Sequence, residues 1–181
     1  YVFTFLGFIW IILNLWVYDL VRIEFGGISL YGSQYWPSVS LVPWISLGYV
    51  FYGLYLLQLP GVFYQEKSLW IATSRAIGAI SNIVLNIYMI PIYGVEGAAI
   101  ATCLSFIIMF IIMFIINRRL FHISYEWGRI VRIIFTMGII FFLFDISSHD
   151  YTNKIILTLL YPLALLLTGF LYKSEIQAIK R

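Results

Sequence analysis

Charge is what this chain has least of. Lys, Arg, Asp and Glu make up 10% of its 181 residues, against about 25% in soluble globular domains. So sparse a set offers no basic stripe on a polar surface, which argues against nucleic acid as a partner. Cysteine is nearly absent too. Cys103 stands alone inside an apolar run, so no internal disulfide can form and thiolate metal ligation is disfavoured. Only two histidines occur, His122 and His149, and they fall in loops expected on opposite sides of a membrane, too far apart to share a metal. No HExxH, CxxC, GxSxG or phosphate-loop pattern is found. The expectation is a protein that is not an enzyme and holds no metal or organic cofactor. Asp145 and Asp150 are the one carboxylate pair that could act as acid and base. Their flanks, Ser147-Ser148-His149, read more simply as a solvated loop. There is also no initiator Met, basic n-region or small-residue cleavage site. The opening apolar stretch is therefore read as a helix of a longer polytopic protein rather than a signal peptide.

What the chain has is apolar surface. Residues of the AVILMFWYC set make up 62%, with 19% aromatic and a mean hydropathy of +0.96. A soluble fold of this size cannot hide so much, because folding leaves much of a domain's surface in water. Crossing a hydrocarbon core of about 30 Å takes roughly 20 helical residues. Six stretches qualify or nearly so: about 2–20, 39–60, 68–90, 96–117, 129–146 and 153–172. The expected fold is all-α, a polytopic transmembrane helical bundle of about six helices, read as a single bundle. Gly26-Gly27, Gly32 and Pro37 break the first loop, Pro60-Gly61 ends the second helix, and Pro91 with Gly94 turns the chain after the third. The segment Ile23–Ser38 is either an interfacial helix or an ordinary loop.

Orientation follows from the cations. Lys67, Arg118, Arg119, Arg129, Arg132, Lys173, Lys180 and Arg181 fall in one set of loops, and only Arg22 and Lys154 in the other. The positive-inside bias puts the first set, with the C-terminus, in the cytoplasm. Trp16, Tyr18, Trp36, Trp44, Tyr64, Trp70 and Trp127 sit near expected boundaries, as interfacial rings do.

Two patterns stand out within the helices. Ser68, Arg75, Asn82 and Asn86 are spaced by seven, seven and four, which brings them to one helical face flanked by Gly78 and Ala79. An arginine within a spanning helix costs about 2.5–3.5 kcal/mol to insert, so it must find water or a partner. Either the stripe lines an aqueous cavity where Arg75 attracts an anionic head group, or the asparagines bond neighbouring helices while Arg75 snorkels toward Lys67. In the next helix Gly97, Ala101 and Ser105 form a ridge of small residues, with Ala98 and Thr102 beside it. Small residues let backbones approach closely, so this is read as packing. Asp19, Arg22 and Glu24 gather at the end of the first helix as caps, ion pairs or part of a gate. Glu96 suits the positive end of its helix.

The stretch Asn82 to Thr102 reads NxxLNxxxIPxYGxxGAAxAT, carrying Pro91, Tyr93, Gly94, Gly97, Ala98, Ala101 and Thr102. It resembles the bacterial polysaccharide (O-antigen) flippases of the multidrug/oligosaccharidyl-lipid/polysaccharide exporter superfamily. Upstream, Gly48-Tyr-Val-Phe-Tyr-Gly-Leu-Tyr55 is similar to the preceding helix of that family, and the likeness is strongest over 48–119. The resemblance implies 12–14 helices in two bundles, this chain being the C-terminal part, with an N-terminal bundle of the same chain as its partner. It also implies export of polyprenyl-diphosphate-linked oligosaccharide across the bacterial inner membrane by alternating access, in polysaccharide or O-antigen biosynthesis. For the NxxLN and YGxxGAA positions it implies a structural role only, and Arg75 stands on the face argument alone. The coupling ion, H+ or Na+, is left open. The alternatives are a multidrug or lipid II exporter of the same superfamily, a membrane-embedded polymerase or ligase, which should carry a large outer loop, and a non-catalytic membrane anchor.

Overall fold

In a membrane the backbone must satisfy its own polar groups, and a helix does so within one segment. The apolar runs of this chain are accordingly helical. The computed structural model describes residues 1–25, 28–29, 31–120, 126–147 and 150–168. Among these residues the helices are α1 (Val2–Leu20), α2 (Val42–Leu56), α3 (Leu59–Tyr64), α4 (Leu69–Tyr93), α5 (Val95–Leu120), α6 (Trp127–Ile146) and α7 (Tyr151–Leu167). A 3₁₀ helix, Ser33–Leu41, leads straight into α2, and β1 (Glu24–Phe25) pairs antiparallel with β2 (Ile28–Ser29). The fold is all-α apart from that two-residue pairing. Val2–Leu20, the continuous stretch Ser33–Tyr64, Leu69–Tyr93 and Val95–Leu120 are each long and apolar enough to cross a membrane, and Tyr151–Leu167 is a shorter apolar helix.

The chain divides into two compact units, one holding α1 to Val17 with α6 and α7, the other running from Tyr18 through α5. In the first, α1 runs parallel to α6, with Trp10 against Phe141 at 5.3 Å between ring centres. It runs antiparallel to α7, where the Tyr161 hydroxyl donates to the Thr4 carbonyl at 3.0 Å and the Trp16 indole donates to Thr158 Oγ1 at 3.2 Å. Ile11, Leu15, Ile133, Ile140 and Leu165 fill its interior.

In the second unit α5 is the middle element. Along α4 it runs antiparallel, with Gly97 against Met89, Thr102 against Asn82 and Met109 against Gly78. Along α2 it runs parallel, with Cys103 against Gly48 and Asn117 against Gln58. Tyr55, Leu59, Val62, Ile71, Met109 and Met113 form the core.

The helix ends differ from the expected ones for identifiable reasons. The second span does not end at Pro60-Gly61. It breaks earlier, at Leu57–Gln58, and resumes as α3, with Pro60 in the first turn, where its missing N–H costs no hydrogen bond. At the break the Gln58 N–H bonds the Tyr55 carbonyl (3.0 Å), which deprives the Leu54 carbonyl of its usual partner, and the Gln58 side chain donates to Leu54 instead (3.4 Å). From α5, fully buried Asn117 donates to the Gln58 carbonyl at 3.0 Å. Asn117→Ala should therefore destabilise this unit by about 1 kcal/mol, the usual net value of such a bond. A shifted midpoint in a detergent unfolding titration would register it, and an unmoved midpoint would show the break to be self-sufficient.

Pro91 is not part of the turn, since α4 runs through it to Tyr93. Gly94 alone makes the reversal at φ +58, ψ −134, a conformation that side-chain-bearing residues rarely adopt. Asp145 lies in the last turn of α6, not in a loop, and Lys154 lies in the first turn of α7, buried, within 6.0 Å of the Trp16 ring. Ile23–Ser38 contains the start of the 3₁₀ helix, none of whose residues is buried. Gly26, Gly27, His122, Ser148, His149, Lys173, Lys180 and Arg181 lie outside the described residues.

A candidate polar path on one face of α4

The apolar run of α4 is interrupted by polar side chains that sort into two kinds. Ser74, with Ile71 and Gly78, is buried in the packing against its neighbours. Arg75, Asn82 and Asn86 lie round the helix from that buried face and are exposed or half-buried. Arg75 is about 9 Å along the axis from the start of α4, at 1.5 Å per residue. A buried tyrosine anchors it. Tyr55, with no exposed surface, accepts from Arg75 Nε at 3.3 Å and lies 3.4 Å from the Ser74 hydroxyl. Ser74 itself donates to the Ile71 carbonyl at 2.9 Å. The guanidinium is thus held by one nitrogen, while the residue stays exposed.

About two to three turns further on, the asparagines form a second group. Asn82 Nδ2 donates to Thr102 Oγ1 at 3.4 Å, and Thr102 donates to the Ala98 carbonyl at 2.9 Å. Asn86 Nδ2 donates to the carbonyl oxygen of Asn82 (2.9 Å) and to its Oδ1 (3.0 Å). The Asn86 Oδ1 is buried and accepts no bond from any described residue. Ser68 stands at the cap of α4, exposed, with no capping bond from its side chain. It shares the helical face but makes no hydrogen bond with the other three among the described residues.

The small-residue ridge lies in the interface beside this stripe. Gly97, Ala101 and Ser105 are buried, and Ser105 returns its hydroxyl to the Ala101 carbonyl at 2.7 Å, so no polar group is left bare where the helices meet. Ala98 and Thr102 are half-buried at its edge, where Thr102 meets Asn82, while Tyr93 and Glu96 are exposed. Pro91 lies inside the last turn of α4, and Gly94 alone sets the end from which the ridge begins.

Sequence reasoning missed Tyr55, which holds Arg75, and the Gln58–Asn117 pair just past the end of α2. Tyr55, Gln58 and Asn117 read as ordinary members of apolar segments. A tyrosine or amide within an apolar stretch was the available signal, because such groups need a partner when buried. At the end of α1, Arg22 stacks over the rings of Tyr18 (3.8 Å) and Trp36 (4.7 Å) and donates to the Tyr18 hydroxyl. Stacking of this kind does not by itself make a gate. Among the described residues, no three His, Cys, Asp or Glu side chains gather in a way that could hold a metal ion. Compared with protein-family models, with curated proteins and with solved structures, the chain matches none of them.

Proposed function

We propose that this chain is the C-terminal part of a transporter that flips polyprenyl-diphosphate-linked oligosaccharide across the bacterial inner membrane by alternating access. The observation that carries the reading is Arg75. A cation is exposed in the second turn of a helix otherwise suited to lipid, about 9 Å from its start, anchored through one nitrogen, with Asn82 and Asn86 continuing the same face. Lipid facing that stripe would cost several kcal/mol for the charge alone. A water-filled path shared with a second bundle removes the cost and puts a guanidinium where a diphosphate can meet it. The sugars would pass the asparagine amides, which offer both donors and acceptors, while the lipid tail stays in the bilayer. The resemblance of the 82–102 stretch to polysaccharide flippases supports the same cargo.

In the proposed topology the chain crosses the membrane several times and ends in the cytoplasm. Lys67, Arg118 and Arg119 face the cytoplasm and Arg22 faces outward. The test is complementation of a flippase-null strain by the complete gene, read by surface polysaccharide, with impermeant labelling of single cysteines at 118 and beyond 173. Restored polysaccharide with both positions shielded in intact cells is expected. Absent polysaccharide at normal membrane levels, with sugar specificity matched, or labels on opposite sides, would overturn the reading.

A further inference from the structure

The flank of α4 opposite the polar stripe is not closed either. Trp70, Thr73 and Ile77 fall about 170° round the helix from Arg75, Asn82 and Asn86, at 3.6 residues per turn. There α4 and α5 leave a groove of about 360 Å³, within the roughly 300–1,000 Å³ of small-ligand sites. Its wall is isoleucine, Ile77 from α4 and Ile112, Ile115 and Ile116 from α5, and its lining also takes in Lys67 and Arg119. Ile112, Ile115, Ile116 and Arg119 follow the i, i+3, i+4, i+7 rule, so an apolar strip about 6 Å long leads, one turn on, to a guanidinium. Both cations are exposed, and neither makes an ion pair among the described residues.

Three occupants can be weighed against that pattern. Water would leave the isoleucines wet, which apolar surface resists. An apolar helix from elsewhere would cover two charges with nothing to balance them, a costly arrangement. An amphiphile with a negative head and an apolar tail satisfies both halves at once. We propose that the groove holds a phospholipid of net negative charge. Its phosphate sits between Lys67 and Arg119 and one acyl chain lies along the isoleucines. Trp70, 47% exposed on the same lining, stands beside the head group as interfacial indoles do. The inference needs the helices to be in a membrane but does not depend on which cargo the transporter moves.

The complete protein, purified and stripped of lipid, is titrated with phosphatidylglycerol, with phosphatidylcholine and with soluble glycerol 3-phosphate, and bound lipid is counted by native mass spectrometry. The protein should retain phosphatidylglycerol in preference to phosphatidylcholine and ignore the soluble phosphate. Lys67→Gln and Arg119→Gln should each weaken phosphatidylglycerol about five-fold, from the roughly 1 kcal/mol that one cation contributes near an anionic surface. Arg118→Gln, at the same helix end but outside the groove lining, should change nothing, and Ile115→Trp should fill the groove and abolish retention of both lipids. Equal affinity of the unmodified protein for the two lipids would overturn the proposal. So would equal binding of glycerol 3-phosphate, which marks an anion site without a lipid, or an Arg118→Gln effect as large as the others, which marks diffuse surface charge. Failure of the flippase complementation leaves this result untouched, so the two readings stand or fall separately.

Discussion

Gly97→Ala is expected to drive α4 away from α5, while the same change at Gly78 should cost less. Both glycines lie in this interface, and both leave too little room for a methyl group. At Gly97 the added carbon would fall on the backbone carbonyl of Met89, and Ile90 N would be 3.0 Å away. Backbone atoms inside a helix have nowhere to go, so the two helices must part. At Gly78 the obstacle is the side chain of Met109. Methionine has three rotatable bonds and can shift, but Met109 is met at Cγ and Sδ and sits in the core, so the shift is not free. Overpacking against rigid neighbours costs about 1–3 kcal/mol, and the gain in helix propensity from Gly to Ala returns roughly 0.5–1 kcal/mol. The balance is a net loss of about 1–2 kcal/mol at Gly97 and a smaller loss at Gly78. Unfolding of the purified variants in a graded denaturing detergent measures both. Equal midpoints for the two would show that the close approach at Met89 relaxes freely, and the packing account would fail.

Arg75 carries the largest functional expectation. Arg75→Ala should lower the proposed transport ten-fold to a hundred-fold at matched membrane levels. This corresponds to the roughly 1.5–3 kcal/mol of a hydrogen bond to a charged group, at 1.4 kcal/mol per factor of ten. Arg75→Lys keeps the charge, loses the planar fork and the bond from Nε to Tyr55, and should fall between the two. Arginine makes α4 more expensive to insert, by about 2.5–3.5 kcal/mol on the insertion scale, so the alanine variant should enter the membrane at least as well as the parent. Folding and function are thus expected to move in opposite directions, which separates a role in transport from a role in stability. Wild-type rates in both variants would remove Arg75 from the path.

The helices were legible in the sequence because their signal is local. Twenty apolar residues in a row need no knowledge of their neighbours, and the spans near 2–20 and 96–117 lie close to α1 and α5. The small ridge at Gly97, Ala101 and Ser105 was legible for a related reason, since a four-residue spacing of small side chains has few uses besides close approach. What escaped depended on partners far along the chain. Tyr55 and Arg75 are 20 residues apart, and Gln58 and Asn117 are 59 apart. Helical periodicity cannot reveal who lies across an interface. Pro60 misled for a different reason. Proline was read as the end of a helix, but it is tolerated equally at a beginning, and only the hydrogen bonds of Gln58 distinguish the two. The grouping of α1 with α6 and α7 joins segments more than a hundred residues apart and has no local signature at all.

Cys103 was noted at the outset as a solitary thiol in an apolar run. It is 2% exposed and lies where α5 packs tightly on α2, since a methyl group at Gly48 would come within 3.0 Å of its Cα. A maleimide cannot reach sulfur there while those two helices remain seated, so the pace of alkylation reports how often they separate. The chain thereby carries its own clock for any motion that parts that pair, and no engineered label is needed to read it.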